Sequence, residues 1–177
     1  IISSSEDIED LREFYVRVNK TGLKLNRPEL YKAEYYNTNF LNLVDELSQY
    51  SKFRDLELFT ERSSNRMKDR EYIEELVAQI VFGITDKKNS VDRLYKKDVD
   101  DEQIEDIKSE FIEIIDLIHE LSSYKHISDT RYKQRNDFYT IFGLIKDIKR
   151  IPFDDLLELY KILIKIGPDI KPSVTTK

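Results

Sequence analysis

The longest periodic stretch of this chain repeats apolar residues at alternating spacings of three and four positions. These residues are Ile104, Ile107, Phe111, Ile114, Ile118 and Leu121. Such spacing puts all of the apolar side chains on one face of an α-helix, where they can pack against a neighbouring helix. We therefore predict a long helix from about Asp101 to Ser122, with a seam for a neighbouring helix.

The rest of the chain offers little that would interrupt helical periodicity. Only 4 Gly and 4 Pro occur among 177 residues, and both residue types are poor in helix interiors. Strand-like alternation is scarce. Further helices are predicted over about residues 4–18, 26–36, 40–50, 64–82, 91–97, 138–148 and 153–166, with an apolar connection over 53–59. The predicted fold class is all-α, an irregular bundle of about seven to eight helices in which the helix over 64–82 is central.

Composition excludes several classes of protein. The net charge is 29 − 35 = −6, which argues against an overall field that attracts nucleic acid but leaves room for a local basic patch. Because the chain has no Cys, disulfides, cysteine nucleophiles and thiolate metal sites are excluded. No apolar run approaches the roughly 18 residues that a membrane span needs. There is no signal peptide, and we expect a cytoplasmic protein.

The segment from Phe14 to Leu30 has the highest density of residues with specific chemical uses. Gly22 follows a predicted helix, where a left-handed residue would close the helix cheaply. Asn26 and Glu29 form an Asn-x-x-Glu capping box for the next helix. On the residues alone, the glycine only ends a helix and Arg17 is a surface cation.

The same segment resembles a motif of a bacterial defence family. It reads Phe14-x-x-Arg17-x-Asn19-x-Thr21-Gly22-x-x-Leu25-Asn26-x-x-Glu29-Leu30. Two weaker echoes follow in the family's order, Arg66-Met67-Lys68-Asp69-x-Glu71 and Asn136-Asp137-Phe138-Tyr139. The family is domain of unknown function 262, the ParB/sulfiredoxin-like N-terminal domain of GmrSD-type, modification-dependent restriction endonucleases. The resemblance runs from about Leu11 to about Ile148.

Parts of the family's pattern do not occur in this sequence. The family's domain begins with an α/β portion whose Asp-Gly-Gln-Gln-Arg motif is tied to nucleotide binding and hydrolysis, and many members end in an HNH-type nuclease. The two histidines, His119 and His126, are in no metal–nuclease pattern. The resemblance therefore implies the later, helical part of a larger α/β-plus-α domain. Its divisions are residues 1–36 as part of the nucleotide-domain wall, 37–166 as a helical bundle and 167–177 as a disordered tail.

The resemblance also implies a ligand and partners. The nucleotide-pocket residues would be Arg17, Asn19, Thr21 and Gly22, with the arginine facing a phosphate, since guanidinium binds phosphate bidentately. No catalytic residue, metal site or cofactor is expected for this chain alone, and a nucleoside triphosphate with Mg is expected in the intact protein. The implied partners are the missing N-terminal α/β segment, a C-terminal nuclease domain and DNA. Self-association through the N-terminal helix would cover Phe14 and its apolar neighbours.

Two basic clusters are candidates for nucleic-acid contact. They contain Arg66, Lys68 and Arg70 in the first and Arg131, Lys133 and Arg135 in the second. Clustered cations near tyrosines can grip phosphates and stack on bases. The alternative is a solvated charged face, because acidic residues stand close by in the sequence, namely Glu61, Asp69, Glu71 and Asp137.

The sequence contains no complete catalytic apparatus. It has no P-loop, no dinucleotide fingerprint and no nucleophile elbow. The acidic run over 98–106 lacks the mid-loop glycine of a calcium-binding EF-hand. Two readings therefore stay open: a helical fragment of a nucleotide-dependent restriction or anti-phage protein, and a non-catalytic helical module that docks or regulates a partner.

Overall fold

The computed structural model of the chain describes residues 27–84, 86–97 and 99–169. Within these residues the chain forms nine α-helices and no strand, which confirms the all-α class. The helices are α1 Arg27–Glu34, α2 Asn39–Ser48, α3 Ser51–Asp55, α4 Glu61–Ser64, α5 Lys68–Phe82, α6 Lys87–Lys96, α7 Asp101–Leu121, α8 Arg135–Ile148 and α9 Phe153–Ile166. Three single-turn 3-10 helices cover Ile127–Asp129, Arg131–Lys133 and Gly167–Asp169. The predicted helix over 4–18, the Gly22 turn, the Asn26 cap and residues 170–177 of the predicted tail lie outside the described residues. Residues 167–169 of that tail form a 3-10 helix.

The central element is α5, as the breadth of its apolar stripe predicts. It packs against α1, α2, α4, α6, α7 and α8. Tyr72, Ile73, Leu76 and Val77 on this helix are completely buried. Each such side chain contributes roughly 1.5–3 kcal/mol through removal of apolar surface from water. The described α-helices that carry candidate site residues therefore either are α5 or pack directly against it.

The long helix α7 follows its predicted bounds within one residue. Asp100 caps it, because its Oδ1 accepts a hydrogen bond from the backbone N–H of Gln103 at 2.9 Å. The apolar seam is buried from Ile107 to Leu121. Helices α2, α3, α5, α8 and α9 all pack on α7, so the seam serves several neighbours. Phe111 lies at its centre, with its ring centroid 5.7 Å from that of Phe142 on α8.

Three predictions about helix boundaries are wrong, for local reasons. The helix predicted over 64–82 is divided, because Met67 has a left-handed backbone (φ 54°) and separates the short helix α4 from α5. The predicted apolar connection over 53–59 overlaps the short helix α3, so the described helices exceed the expected seven to eight. Ser90, the residue before the predicted range 91–97 and its predicted cap, does not begin α6. Asp86 does, since its carboxylate accepts from the backbone N–H of Asn89 at 3.1 Å, and Ser90 lies buried within the helix.

The other predicted helices are present with shifted ends. The predicted range 138–148 begins three residues earlier, at Arg135, and 153–166 is reproduced by α9. None of the helices in the described part of the chain combines the length and apolar character needed to cross a membrane.

Candidate functional site

The three segments that resemble the restriction family meet at the N-terminal half of α5. Glu29 belongs to the first segment, and its Oε1 lies 3.6 Å from Nη1 of Arg66 in the second. Glu71 closes the second segment, and its Oε2 lies 3.7 Å from Nη1 of Arg135, the residue before the third. The first two segments are thus joined by a direct ion pair, and the second is joined to the residue that precedes the third.

Aromatic packing ties the second and third segments together beneath these charges. Tyr72, which follows the second segment, is fully buried, and its hydroxyl donates to the backbone carbonyl of Arg135 at 2.5 Å. Its ring centroid lies 6.1 Å from that of Phe138 in the third segment. The guanidinium of Arg135 lies over the same tyrosine ring at 4.9 Å. The start of α8 is therefore held on α5 by apolar contact, a hydrogen bond and a cation–π contact.

A row of alternating charges runs along this face, and we call it the α5 charge cluster: Lys68, Glu71, Glu75, Lys87 and Arg135. Lys68 Nζ is 2.8 Å from Glu71, and Glu75 is 3.1 Å from both Lys87 and Arg135. Part of the cluster lines an open cleft of about 520 Å³ with Gln134 and Asn136. Because both carboxylates have cationic partners, the cleft presents a mixed surface and not a purely anionic one.

The end of the N-terminal segment is anchored on α6. Arg27 donates from Nη2 to the carboxylate of Asp92 at 2.7 Å and to the backbone carbonyl of Lys88 at 3.2 Å. Its guanidinium also lies over the ring of Tyr31 at 4.9 Å. Tyr31 donates a hydrogen bond to Asp92, and this bond is the largest cause of a lowered pKa for that carboxyl, followed by the contact with Arg27. Residue 27 is thus fixed in position by charge and by aromatic contact.

Glu74, an acidic residue that no sequence motif singles out, is buried beside this anchor. It is 2% exposed, and Tyr95 donates to its Oε1 at 2.7 Å. Burial raises the pKa of the Glu74 carboxyl to about 7. The ring of Tyr95 is stacked on that of Tyr35 at 4.7 Å. A signal was present in retrospect, since this acidic residue falls among the buried apolar residues of α5.

The predicted nucleotide-pocket residues Arg17, Asn19, Thr21 and Gly22 lie outside the described residues. Their predicted roles stay predictions. The segment that contains them enters the described structure at Arg27, so the anchor on α6 marks where it joins the bundle.

The first basic cluster is paired with acidic side chains. Arg66 contacts Glu29, Lys68 contacts Glu71, and Arg70 donates to the carboxylate of Asp45. Arg66 is the most exposed of the three, at 45%. The carboxylates offset much of the field that these cations would present to a polyanion.

The second basic cluster divides into structural and exposed members. Arg131 donates from Nε and Nη2 to both oxygens of Asp137, at 3.0 and 2.9 Å, and from Nη1 to the carbonyl of Gly167 at 2.7 Å. Arg135 belongs to the α5 charge cluster. Lys133 is exposed and forms no ion pair with the residues that the structure describes. Contact of these six cations with nucleic acid stays a prediction, and Lys133 is the one whose charge is not already offset.

The described residues contain no group of three or more side chains that could hold a metal ion. The two histidines lie near each other, at Asp55. His126 Nε2 is 2.9 Å from the backbone carbonyl oxygen of Asp55, and His119 Nε2 is 3.8 Å from the carboxylate of Asp55. No protein-family model, curated protein or solved structure matches the chain.

Proposed function

We propose that this chain is the helical part of a GmrSD-like, nucleotide-dependent restriction or anti-phage defence protein. In that role its bundle supports one wall of the nucleotide pocket. The observation that supports this proposal is that the three resembling segments lie near one another at the start of α5. The Glu29–Arg66 ion pair joins the first segment to the second. The Glu71–Arg135 ion pair and the packing of Tyr72 against Phe138 hold the third segment beside the second. The three segments were selected by sequence resemblance alone, and their positions in the sequence do not require them to lie close together in a helical bundle.

A pocket wall needs a rigid support. The bundle supplies one at Arg27, near the C-terminal end of the segment from Phe14 to Leu30. Arg27 is held by Asp92, by the Lys88 carbonyl and by Tyr31. A side chain used to bind phosphate loses less entropy if the backbone near it is already ordered. The resemblance implies the phosphate contact for Arg17. The described arginines Arg27 and Arg66 already contact carboxylates.

The nucleoside triphosphate and its Mg²⁺ belong to the intact protein in this proposal. Phosphoryl transfer needs a bridging metal ion and an oriented water molecule, and the described residues offer no cluster of metal ligands. The chain contributes positioning and charge, with Arg17, Asn19, Thr21 and Gly22 shaping one side of the pocket. DNA contact in the intact protein would fall first on Lys133. We expect the chain on its own to hydrolyse no triphosphate and to cut no DNA.

The reading frame that encodes this chain provides the first test. We expect an Asp-Gly-Gln-Gln-Arg stretch upstream of residue 1 and an HNH-type nuclease domain downstream of residue 177. A frame with neither feature would replace this proposal with the alternative, a non-catalytic helical module that docks or regulates a partner. The alternative is favoured by the uncovered apolar surface of α9.

A binding measurement on the protein from the whole frame is the second test. Titration with a fluorescent, non-hydrolysable triphosphate and Mg²⁺ should give saturable binding that Arg17→Ala weakens roughly tenfold or more, since a bidentate charged contact is lost. Arg62→Ala is the matched control, because it removes an exposed arginine of α4 and should leave binding unchanged. Equal triphosphate binding by Arg17→Ala and the control would contradict the role assigned to Arg17. Triphosphate hydrolysis by the 177-residue chain alone would contradict the proposal that catalysis needs the intact protein.

A further inference from the structure

The last of the described α-helices leaves part of its apolar surface uncovered. Only Leu156 and Tyr160 of α9 are buried. Leu159, Ile162 and Ile166 are 39%, 53% and 43% exposed. These three residues are spaced at i, i+3 and i+7, so they form one row along the helix. We call this row the α9 apolar face.

A basic rim borders the α9 apolar face. Lys125, Lys161 and Lys165 line a shallow cavity of about 630 Å³ together with Ile162 and the half-exposed Tyr124. Lys161 donates to Glu158 at 2.7 Å and lies 5.3 Å from the Tyr124 ring centroid. Lys125 and Lys165 form no ion pair with the described part of the chain. The rim is therefore locally positive in a chain whose net charge is −6.

The rim and the row together define what can cover them. A suitable occupant has an apolar stripe on one side and a net negative charge, since an exposed apolar row is stabilised by burial and the lysines favour an anionic neighbour. Residues 170–177 have the wrong charge, because they contain two lysines and no acidic residue.

Residues 4–18 have both properties. They contain five acidic and two basic residues, so their net charge is 2 − 5 = −3. Ile8, Leu11 and Tyr15 are spaced at i, i+3 and i+7, the same spacing as the α9 apolar face. Two helices with matched rows can interdigitate along a common seam.

We propose that the α9 apolar face and its basic rim are the docking surface for the amphipathic segment over residues 4–18 of this chain. Docking buries the row of Leu159, Ile162 and Ile166 against the segment's stripe and places the lysines beside its carboxylates. The inference rests on the exposed row, the charges and the matched spacing, and it does not rest on nucleotide binding by Arg17, which the same segment contains.

Disulfide trapping in the full chain tests the contact, because the natural sequence has no Cys. The test pair is Leu11→Cys with Ile162→Cys. The matched control is Leu11→Cys with Ile84→Cys, which places the second thiol on an isoleucine that is 85% exposed elsewhere. Under mild oxidation we expect the test pair to cross-link roughly fivefold faster or more, owing to the higher effective concentration of docked thiols.

A non-reducing gel shows whether the docked segment belongs to the same molecule or to a second copy. A monomer-sized cross-linked product means docking within one molecule, and a dimer-sized product means docking between two copies; both support the proposal. Equal rates for the test and control pairs, or no cross-link at position 162, overturn it.

Charge reversal on the rim provides an independent measurement. Adding Lys161→Glu and Lys165→Glu to the test pair should slow the cross-link severalfold and should leave the control pair unchanged. A rate for the test pair that ignores this reversal overturns the proposed charge complementarity and the assigned occupant. Thermal melts of each variant verify that the bundle is folded, which these surface substitutions are expected to preserve.

Discussion

The side-chain amide of Gln79 occupies the space that a β-carbon on Gly143 would need. Gln79 lies on α5 and is 2% exposed, and Gly143 lies on α8. A β-carbon built on the glycine would lie 3.2 Å from the glutamine Cδ and closer still to its amide nitrogen. The central helix and α8 can approach at this level only because one of the two positions lacks a side chain.

Replacing Gly143 with alanine should therefore destabilise the protein. An alanine in a helix interior normally gains roughly 0.5–1 kcal/mol over glycine, but the clash with a buried side chain should cost about 1–3 kcal/mol. We expect a net loss of about 1–2 kcal/mol in the free energy of unfolding, measured by urea denaturation. Gln79→Ala is the matched background, because it removes the obstructing amide. Gly143→Ala should cost less there, and an equal cost in both backgrounds would show that the two residues are not coupled.

Glu74 should make stability depend on pH. Burial raises its pKa from the ordinary 4.5 to about 7, so the folded state binds this proton more tightly than the unfolded state does. Its contribution to stability is fully present below about pH 4.5 and is lost as pH rises towards 7. Glu74→Gln keeps the shape and an acceptor for Tyr95, and it should raise the free energy of unfolding at pH 8 by up to about 3 kcal/mol, with little change at pH 4.5.

The control for this experiment is Glu75→Gln, which removes a partly exposed carboxylate from the next position of α5. We expect that variant to keep the loss of stability between pH 4.5 and 7, because Glu74 is still present. If Glu74→Gln and the parent protein show the same pH profile in urea denaturation, the buried carboxyl is not the group that titrates.

Arg131 should matter for stability more than the other exposed-looking cations. Its guanidinium joins Asp137 to the carbonyl of Gly167 at the end of α9. Arg131→Ala should lower the melting temperature by a few degrees, since a bidentate pair and a helix-terminal acceptor are lost together. Lys133→Ala, two residues away, should leave it unchanged within about a degree. A melting temperature that does not respond to Arg131→Ala would contradict the structural role assigned to this guanidinium.

Glu57 offers a stabilising substitution. It follows α3 with a left-handed backbone (φ 52°), and its side chain is exposed. Glycine adopts this conformation without the steric cost of a β-carbon, so Glu57→Gly should raise the free energy of unfolding by about 0.5–1 kcal/mol. Glu57→Ala keeps the β-carbon and should show no such gain. Urea denaturation of the two variants side by side separates backbone strain from loss of the carboxylate.

Periodicity predicted the long helices well because it reports burial directly. The bounds of α7 and α9 follow from their apolar spacing almost to the residue. The break at Met67 was missed, because nothing in a run of helix-compatible residues indicates that a methionine adopts a left-handed backbone. Asp86 was missed as the start of α6 because Ser90, four residues later, offers an equally good capping side chain.

The site was harder to predict, because its contacts join distant parts of the chain. The sequence did indicate local offsets of charge, and Glu71 and Asp137 do pair with Lys68 and Arg131. It could not indicate that Arg70 meets Asp45, which is 25 positions away. Nor does any sequence period report that Glu29 on α1 lies beside Arg66 or that Arg135 on α8 lies beside Glu71. Such contacts depend on tertiary packing, which spacing along the chain does not encode.

The carboxylates that pair with the basic clusters have a consequence for any anion that approaches. Each acts as a tethered competitor, held beside its cation at an effective concentration of about millimolar or more. A dissolved phosphate or a DNA strand must displace Glu29, Glu71 or Asp45 before it reaches Arg66, Arg135 or Arg70. The acidic residues of the bundle thus disfavour non-specific binding of polyanions. A ligand that also makes further contacts with the protein can outcompete these carboxylates.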